Sequence, residues 1–201
     1  TLREVIYEIG GGIKDGKKFK SVQTGGPSGG CLTEKHLDVA IDFDSLMEQG
    51  SMMGSGGMIV MDEDDCMVAV SKFYLEFTVE ESCGKCTPCR IGNQRLLEIL
   101  DKITKGNGTE DDLRKLKELS NIIKDTSLCG LGQTAPNPIL STLNNFWDEY
   151  VAHVKDKKCP SGQCSALLKY VINDKCIGCT ACARVCPVTC IEGKVKEKHL
   201  I

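Results

Sequence analysis

The sequence predicts an α+β protein: a small sheet with one packed helix, then an antiparallel four-helix bundle, then a compact cysteine-rich module. Three observations predict this order. Short β-branched runs alternate with glycine-rich turns over residues 1–62. Apolar residues recur at helical spacing over residues 63–155, interrupted only by short polar loops. Beyond a lysine-rich, cysteine-containing connector at residues 156–170, cysteines dominate residues 171–201.

Each element has its own signal. Leu2–Ile9 carries helical spacing, and Phe19–Gln23, Leu37–Ile41 and Met58–Met61 read as strands. Gly25-Gly26-Pro27 and Gly54-Ser55-Gly56-Gly57 mark turns between them. These glycine runs, like Gly10-Gly11-Gly12, fit neither the dinucleotide fingerprint nor the P-loop, so they read as loop-shaping. Asp64–Glu80 is the first bundle helix. Thr87 as N-cap and Pro88 at the first helical position open the second, whose apolar face is Leu96, Leu100 and Ile103. Gly106-Asn107-Gly108 ends it. Thr109 and Asp112 then cap a third helix with Leu113, Leu116, Leu119 and Ile123 on one side. Asn137-Pro138 opens the fourth, with Leu143, Phe146, Tyr150 and Val154 in line.

Composition excludes several classes. Aromatics are only 5% of the 201 residues, so the cores must be mostly aliphatic. The formal net charge is −3 with both signs interspersed, which leaves no basic stripe for nucleic acid. No apolar run is long enough to span a bilayer, and the start carries no secretory pattern. The chain opens on Thr1 and stops at Ile201 part-way through a module, so it is expected to be a piece of a longer polypeptide. Thirteen cysteines, an odd number without an export signal, point to metal-binding thiols rather than disulfides.

Cys83, Cys86 and Cys89 form C-x2-C-x2-C. A cubane cluster needs four thiolates, and such a loop can wrap three corners. Zinc sites prefer two separated pairs instead. The fourth ligand must come from elsewhere. Cys129 is the candidate, because the second and third helices carry the chain out and back to the triplet. The helix opening at Thr87-Pro88 would also aim backbone N–H groups at these thiolates.

Cys176, Cys179, Cys182 and Cys186 followed by Pro187 form C-x2-C-x2-C-x3-C-P, the bacterial ferredoxin signature for a [4Fe–4S] cluster. The mirrored second half of a two-cluster ferredoxin is not within these residues. Cys186 therefore either closes the same cluster as its three neighbours or serves a second one; truncation is the favoured explanation. In the connector, His153, Cys159 and Cys164 offer zinc chemistry, with Cys190 as the fourth candidate and a pin or hinge as the role. The alternative is a solvated histidine at a helix end beside two loop cysteines. Cys31 and Cys66 read as ordinary buried cysteines.

Glu81-Ser82-Cys83-Gly84-Lys85-Cys86-Thr87-Pro88-Cys89-Arg90, with Leu128-Cys129-Gly130-Leu131-Gly132, resembles the flavoprotein subunit of respiratory complex I and its soluble relatives. The resemblance covers nearly all of residues 1–155. It implies a β-grasp, soluble ligand-binding domain at residues 1–62, ahead of a four-helix bundle holding one [4Fe–4S] cluster. It also implies FMN and NAD(H) bound in a domain outside this sequence. With a ferredoxin module appended, the chain looks similar to the NADH-oxidising beta subunit of soluble, electron-bifurcating [FeFe]-hydrogenases. The implied role is an electron relay in the cytoplasm. The implied partners are a hydrogenase catalytic subunit, a thioredoxin-like [2Fe–2S] subunit and ferredoxin. A beta subunit of an NAD-dependent formate dehydrogenase is the alternative within this class, and a zinc-stapled scaffold is the alternative outside it.

Overall fold

Leu2 and Ile6, one helical turn apart, are the first side chains of the sequence to be buried. They belong to a helical turn whose wide, π-type portion covers Glu4–Ile9. The computed structural model describes all of residues 1–201. Its chain divides into two units, Thr1–Leu167 and Leu168–Ile201.

In the first unit, strands β1 (Phe19–Thr24), β2 (Cys31–Leu32) and β3 (Met58–Asp62) form an antiparallel sheet in the order β2-β1-β3. Val22 faces Leu32, and Gln23 faces Cys31. Alternation along the strands gives the sheet two different faces. Val22 and Leu32 join Leu2, Ile6, Leu37 and Leu46 in one apolar cluster, the last from helix α1 (Phe43–Glu48). On the other face Ser21, Gln23 and Cys31 lie with Met61 and Met67, and Ser21 Oγ donates to the two methionine sulfurs. The Gly25–Gly30 run is the β1–β2 connection. A Cβ at Gly29 would lie 1.7 Å from the Thr24 carbonyl oxygen, so the turn closes only around glycine.

The expected strand at Leu37–Ile41 is not formed. Leu37 and Val39 instead give their carbonyls to the backbone N–H groups of Arg3 and Leu2, which the start of the first helical turn leaves unpaired. Pairing to a helix end has taken the place of pairing to a strand.

The helical part begins with α2 (Met67–Glu80). It starts three residues later than the sequence suggests, because Asp62 and Asp65 tie residues 62–65 into a turn. A π-type turn at Pro88–Gly92 runs into α3 (Asn93–Thr104). Helix α4 (Glu110–Thr126) follows, then α5 (Gly130–Thr134) and α6 (Asn137–Asn145). Leu96, Leu100 and Ile103 of α3 meet Leu113, Leu116 and Ile123 of α4 in one core with Leu75, Ile139, Leu143 and Tyr150. Thr109 and Asp112 form the expected capping box at α4. The single helix expected after Pro138 is broken at Phe146 (φ −132°), and the chain resumes as α7 (Trp147–Val151) and a π-type turn, Ala152–Asp156. The break aims Tyr150 inward, where its hydroxyl meets Ser71 Oγ at 3.0 Å and Thr142 Oγ1 at 2.8 Å.

Sheet and helices are joined by polar contacts. Lys20 pairs with Glu149 at 2.5 Å, both largely buried, and Ser141 Oγ accepts the Cys31 backbone N–H at 3.0 Å.

The second unit has one short helix, α8 (Ala181–Val185), and a bridge between Glu192 and Leu200. Val171, Ile177, Val185, Val188 and Val195 are all exposed, and no apolar core forms within it.

Candidate metal and cluster sites

The first site is built where the π-type turn before α3 meets the loop after α4. Cys89 lies in the turn and is buried, Cys86 is half-buried, and Cys83 and Cys129 are exposed. The backbone N–H groups of Leu128 and Cys89 point at Cys86 Sγ and hold its thiol below the ordinary value. Leu128 immediately precedes Cys129, so this bond brings the Cys129 loop against the triplet. Gly132, in α5, closes the same space. A Cβ there would lie 3.1 Å from Cys89 Cβ and 2.7 Å from Ser127 Oγ. The Cys89 N–H at the helix start is thus aimed at a sulfur of the triplet, and the Leu128 N–H meets the same sulfur from the opposite loop.

Polar side chains also gather on Cys89, a feature that the cysteine spacing does not announce. Ser82 Oγ lies 3.3 Å and Asn93 Nδ2 3.4 Å from Cys89 Sγ. Asn93 is fully buried and its Oδ1 has no partner; Ser127 Oγ, nearby and also buried, has none either. Thiolates on tetrahedrally placed irons, with N–H and O–H donors around the sulfurs, are what a [4Fe–4S] cluster requires, and this donor set fits one.

The second site lies where the chain enters α2. Cys66, His153, Cys159 and Cys164 are all buried, and their donor atoms lie within 4.8 Å of one another. His153 Nε2 is 3.3 Å from Cys66 Sγ and 3.4 Å from Cys164 Sγ, while the two sulfurs are 3.8 Å apart. Ligands at about 2.3 Å on the corners of a tetrahedron are about 3.8 Å apart, so the spacing fits zinc. His153 Nδ1 lies 2.7 Å from the Glu149 carbonyl; donation to that oxygen fixes the tautomer that leaves Nε2 free to ligate. Burial would lower the His153 pKa, but the neighbouring Cys66 outweighs it and raises the value to about 9. The Cys164 thiol and burial push Cys66 up to about 12.

Cys190 is not among the four residues and lies beside Cys186 in the second unit, Sγ to Sγ 3.6 Å. Cys66 completes the group of four neighbouring donors. It lies 87 residues before His153, and nothing in the local sequence ties the two together. Cys31 is buried as expected, its thiol donating to Gln23 Oε1 at 2.9 Å.

In the second unit, Cys176 Sγ faces the backbone N–H groups of His199 and Gly178, which lower its thiol pKa. The N–H groups of Cys190, Val188 and Thr189 do the same for Cys186. Cys176, Cys182 and Cys186 are half-buried, and Cys179 is exposed.

Comparison with known proteins bears on these sites. Residues 69–153 match the family described as the NADH-ubiquinone oxidoreductase-F iron–sulfur binding region. The F-type region contains the Cys83–Cys89 triplet and Cys129, and residues 169–192 match the 4Fe–4S binding domain. The chain is 68% identical over 200 residues to the NADP-reducing hydrogenase subunit HndC of Solidesulfovibrio fructosivorans, covering 99% of this chain and 41% of that protein. It is 40% identical over 160 residues to the F-type subunit of the NADH-quinone oxidoreductase of Mycobacterium tuberculosis (strain ATCC 25618 / H37Rv), covering 80% of this chain and 36% of that one. The chain thus spans about two fifths of the length of these curated relatives. Among solved structures, an NAD+-reducing [NiFe]-hydrogenase in the H2-reduced state matches with a TM-score of 0.63 and 30% identity, over 69% of this chain and 24% of that one.

Proposed function

We propose that this chain is an iron–sulfur electron carrier of an NAD(P)-linked hydrogenase. In this reading it relays electrons between a flavin and nicotinamide site, carried outside these residues, and hydrogenase or ferredoxin partners. The observation that carries the reading is the Leu128 N–H aimed at Cys86 Sγ, which sets the Cys129 loop against the triplet. The 68% relative, whose name gives NADP-reducing hydrogenase, supports the coupling to a nicotinamide coenzyme. A thioredoxin-like [2Fe–2S] subunit, a hydrogenase catalytic subunit and a cytoplasmic setting belong to the same proposal. No helix is long and apolar enough to cross a membrane. Residues 1–62 are read as the β-grasp domain, and α2, α3, α4 and α6 as the antiparallel bundle.

The residues divide the work. Cys83, Cys86, Cys89 and Cys129 hold one [4Fe–4S] cluster, and Cys176, Cys179, Cys182 and Cys186 act as ligands in the ferredoxin-type module. Such clusters, when bound, supply one-electron transfer at potentials set by hydrogen bonds and burial. The backbone N–H groups of Leu128 and Cys89 favour the thiolate form of Cys86. Buried Cys89 keeps water from one side of the first site, and exposed Cys83 and Cys129 keep its other side near the surface, where a partner can approach.

Cys66, His153, Cys159 and Cys164 hold zinc in this proposal, as a closed structural site with no open position for chemistry. The ion would tie the start of α2 to the turn after α7 and to the segment that follows.

Cys129→Ser in the anaerobically purified, reduced chain tests the first site. Electron paramagnetic resonance is expected to lose or alter one cluster signal and keep the ferredoxin-type one. A spectrum unchanged by the substitution would remove Cys129 from the ligand set.

A further inference from the structure

The apolar stripe of α3 runs Leu96, Leu100, Ile103, and its first position one turn earlier is Asn93. All four side chains are buried, and Asn93 is fully so. A leucine there would continue the stripe and leave no polar atom unpaired. The asparagine instead makes one side-chain contact, from Nδ2 to Cys89 Sγ at 3.4 Å, and leaves Oδ1 without a partner. A buried amide held for a single bond to sulfur is costly unless that sulfur carries charge.

Ser82 approaches the same sulfur from the other side of the loop. Its Oγ lies 3.3 Å from Cys89 Sγ and accepts the Gly84 backbone N–H at 3.3 Å, which leaves the hydroxyl proton for the sulfur. A thiolate can only accept, so both contacts become donor-to-sulfur bonds once Cys89 is a ligand. The first four-cysteine site thus has one ligand with two side-chain donors. No side-chain hydrogen bond is directed at Cys83, Cys86 or Cys129.

We propose that Ser82 and Asn93, neither of them a ligand, donate hydrogen bonds to the Cys89 thiolate and raise the reduction potential of the cluster held there. The proposal rests on Cys83, Cys86, Cys89 and Cys129 being cluster ligands. Reduction adds negative charge to the cluster and its sulfurs, so donors aimed at a sulfur stabilise the reduced form more than the oxidised one. Ser82 and Asn93 are positioning residues: they act through Cys89 and touch no substrate.

The test is a redox titration of the anaerobic chain, followed by electron paramagnetic resonance, for Asn93→Leu, Ser82→Ala and Ser82→Thr. Each variant is expected to keep its iron and its signal. At fixed ambient potential, Asn93→Leu is expected to lower the reduced-to-oxidised ratio of this cluster roughly tenfold, equal to about 59 mV for a one-electron couple. Ser82→Ala shifts it in the same direction, and Ser82→Thr, which keeps the hydroxyl, restores the original value. The ferredoxin-type cluster should not move, which separates local hydrogen bonding from a general loss of structure. If Asn93→Leu fails to retain iron, half-buried Ser82 carries the test through its alanine and threonine pair. Intact signals that titrate with the unsubstituted chain would overturn the proposal while sparing the ligand assignment. Absence of any signal from the first site in the unsubstituted chain would overturn the ligand assignment, and the proposal with it.

Discussion

Cys66 and Cys190 show at the scale of one residue what spacing can and cannot decide. Cys190 follows Cys186 closely and is, by spacing, the natural candidate to complete the His153, Cys159 and Cys164 set. The fold brings Cys66 to those three across 87 residues, because Cys66 is the residue from which α2 starts. The two cysteines make opposite predictions. Cys66→Ser should abolish or sharply weaken zinc retention, whereas Cys190→Ser should leave it at one zinc per chain, by metal analysis after dialysis. The site should also release zinc on acidification, since cysteine ligands must be deprotonated to bind. Zinc kept by Cys66→Ser and lost by Cys190→Ser would reverse the assignment. Asn93 carries a signal that is legible in the sequence but easily passed over: a polar residue at the first position of an otherwise apolar stripe.

At the scale of elements, α4 depends on its cap. Asp112 accepts from the Thr109 backbone N–H at 2.7 Å and pairs with Lys102 at 2.6 Å. Burial would raise its pKa, but Lys102 and Thr109 outweigh it and hold the carboxyl below the usual aspartate range. Asp112→Ala should destabilise the chain by about 1 kcal/mol in urea unfolding at neutral pH. The sign of the pH dependence follows from the lowered value. The contribution is complete above the unfolded pKa of about 4 and is lost as pH falls through the lower, folded value. The gap between Asp112→Ala and the unsubstituted chain should therefore narrow in acid; a gap that widens would contradict it. Tyr150→Phe tests the break at Phe146. It removes the hydroxyl that bonds Ser71 and Thr142, which keep each other and the backbone carbonyls of Met67 and Pro138 as partners, and should cost about 1 kcal/mol in the same measurement.

The elements are legible in proportion to how local their causes are. The capping box, the α3 and α4 stripes and the Met58–Asp62 strand follow from neighbouring residues, and the sequence pattern finds them. The missing Leu37–Ile41 strand and the broken helix after Pro138 depend on distant partners. Leu37 and Val39 answer the unpaired N–H groups of Arg3 and Leu2, and the turn at Phe146 is offset by the contacts of Tyr150. Helix α5 is only five residues long, too short for a periodic signal.

Over the whole molecule, folding of the two units rests on different forces. The first has a largely aliphatic core that runs from Cys66 and Leu75 to Val154 and Leu167. The second exposes its valines and has no such core, so its order is expected to depend on thiolate ligation. Metal chelation should accordingly unfold residues 168–201 first, visible as faster amide exchange there than in α3 and α4. The two tight cysteine motifs are legible in the sequence, because ligand spacing is itself local chemistry.

In the proposed division, two sets of cysteines hold iron–sulfur clusters, and one separate set, with His153, holds zinc. Counting iron, acid-labile sulfide and zinc together on the anaerobically purified chain decides this division of labour in one experiment. The expected result is about eight irons, as many sulfides and one zinc per chain, corresponding to two four-iron clusters and one tetrahedral ion. No iron and several zincs would contradict it, and would make the chain a zinc-held scaffold rather than a carrier of electrons.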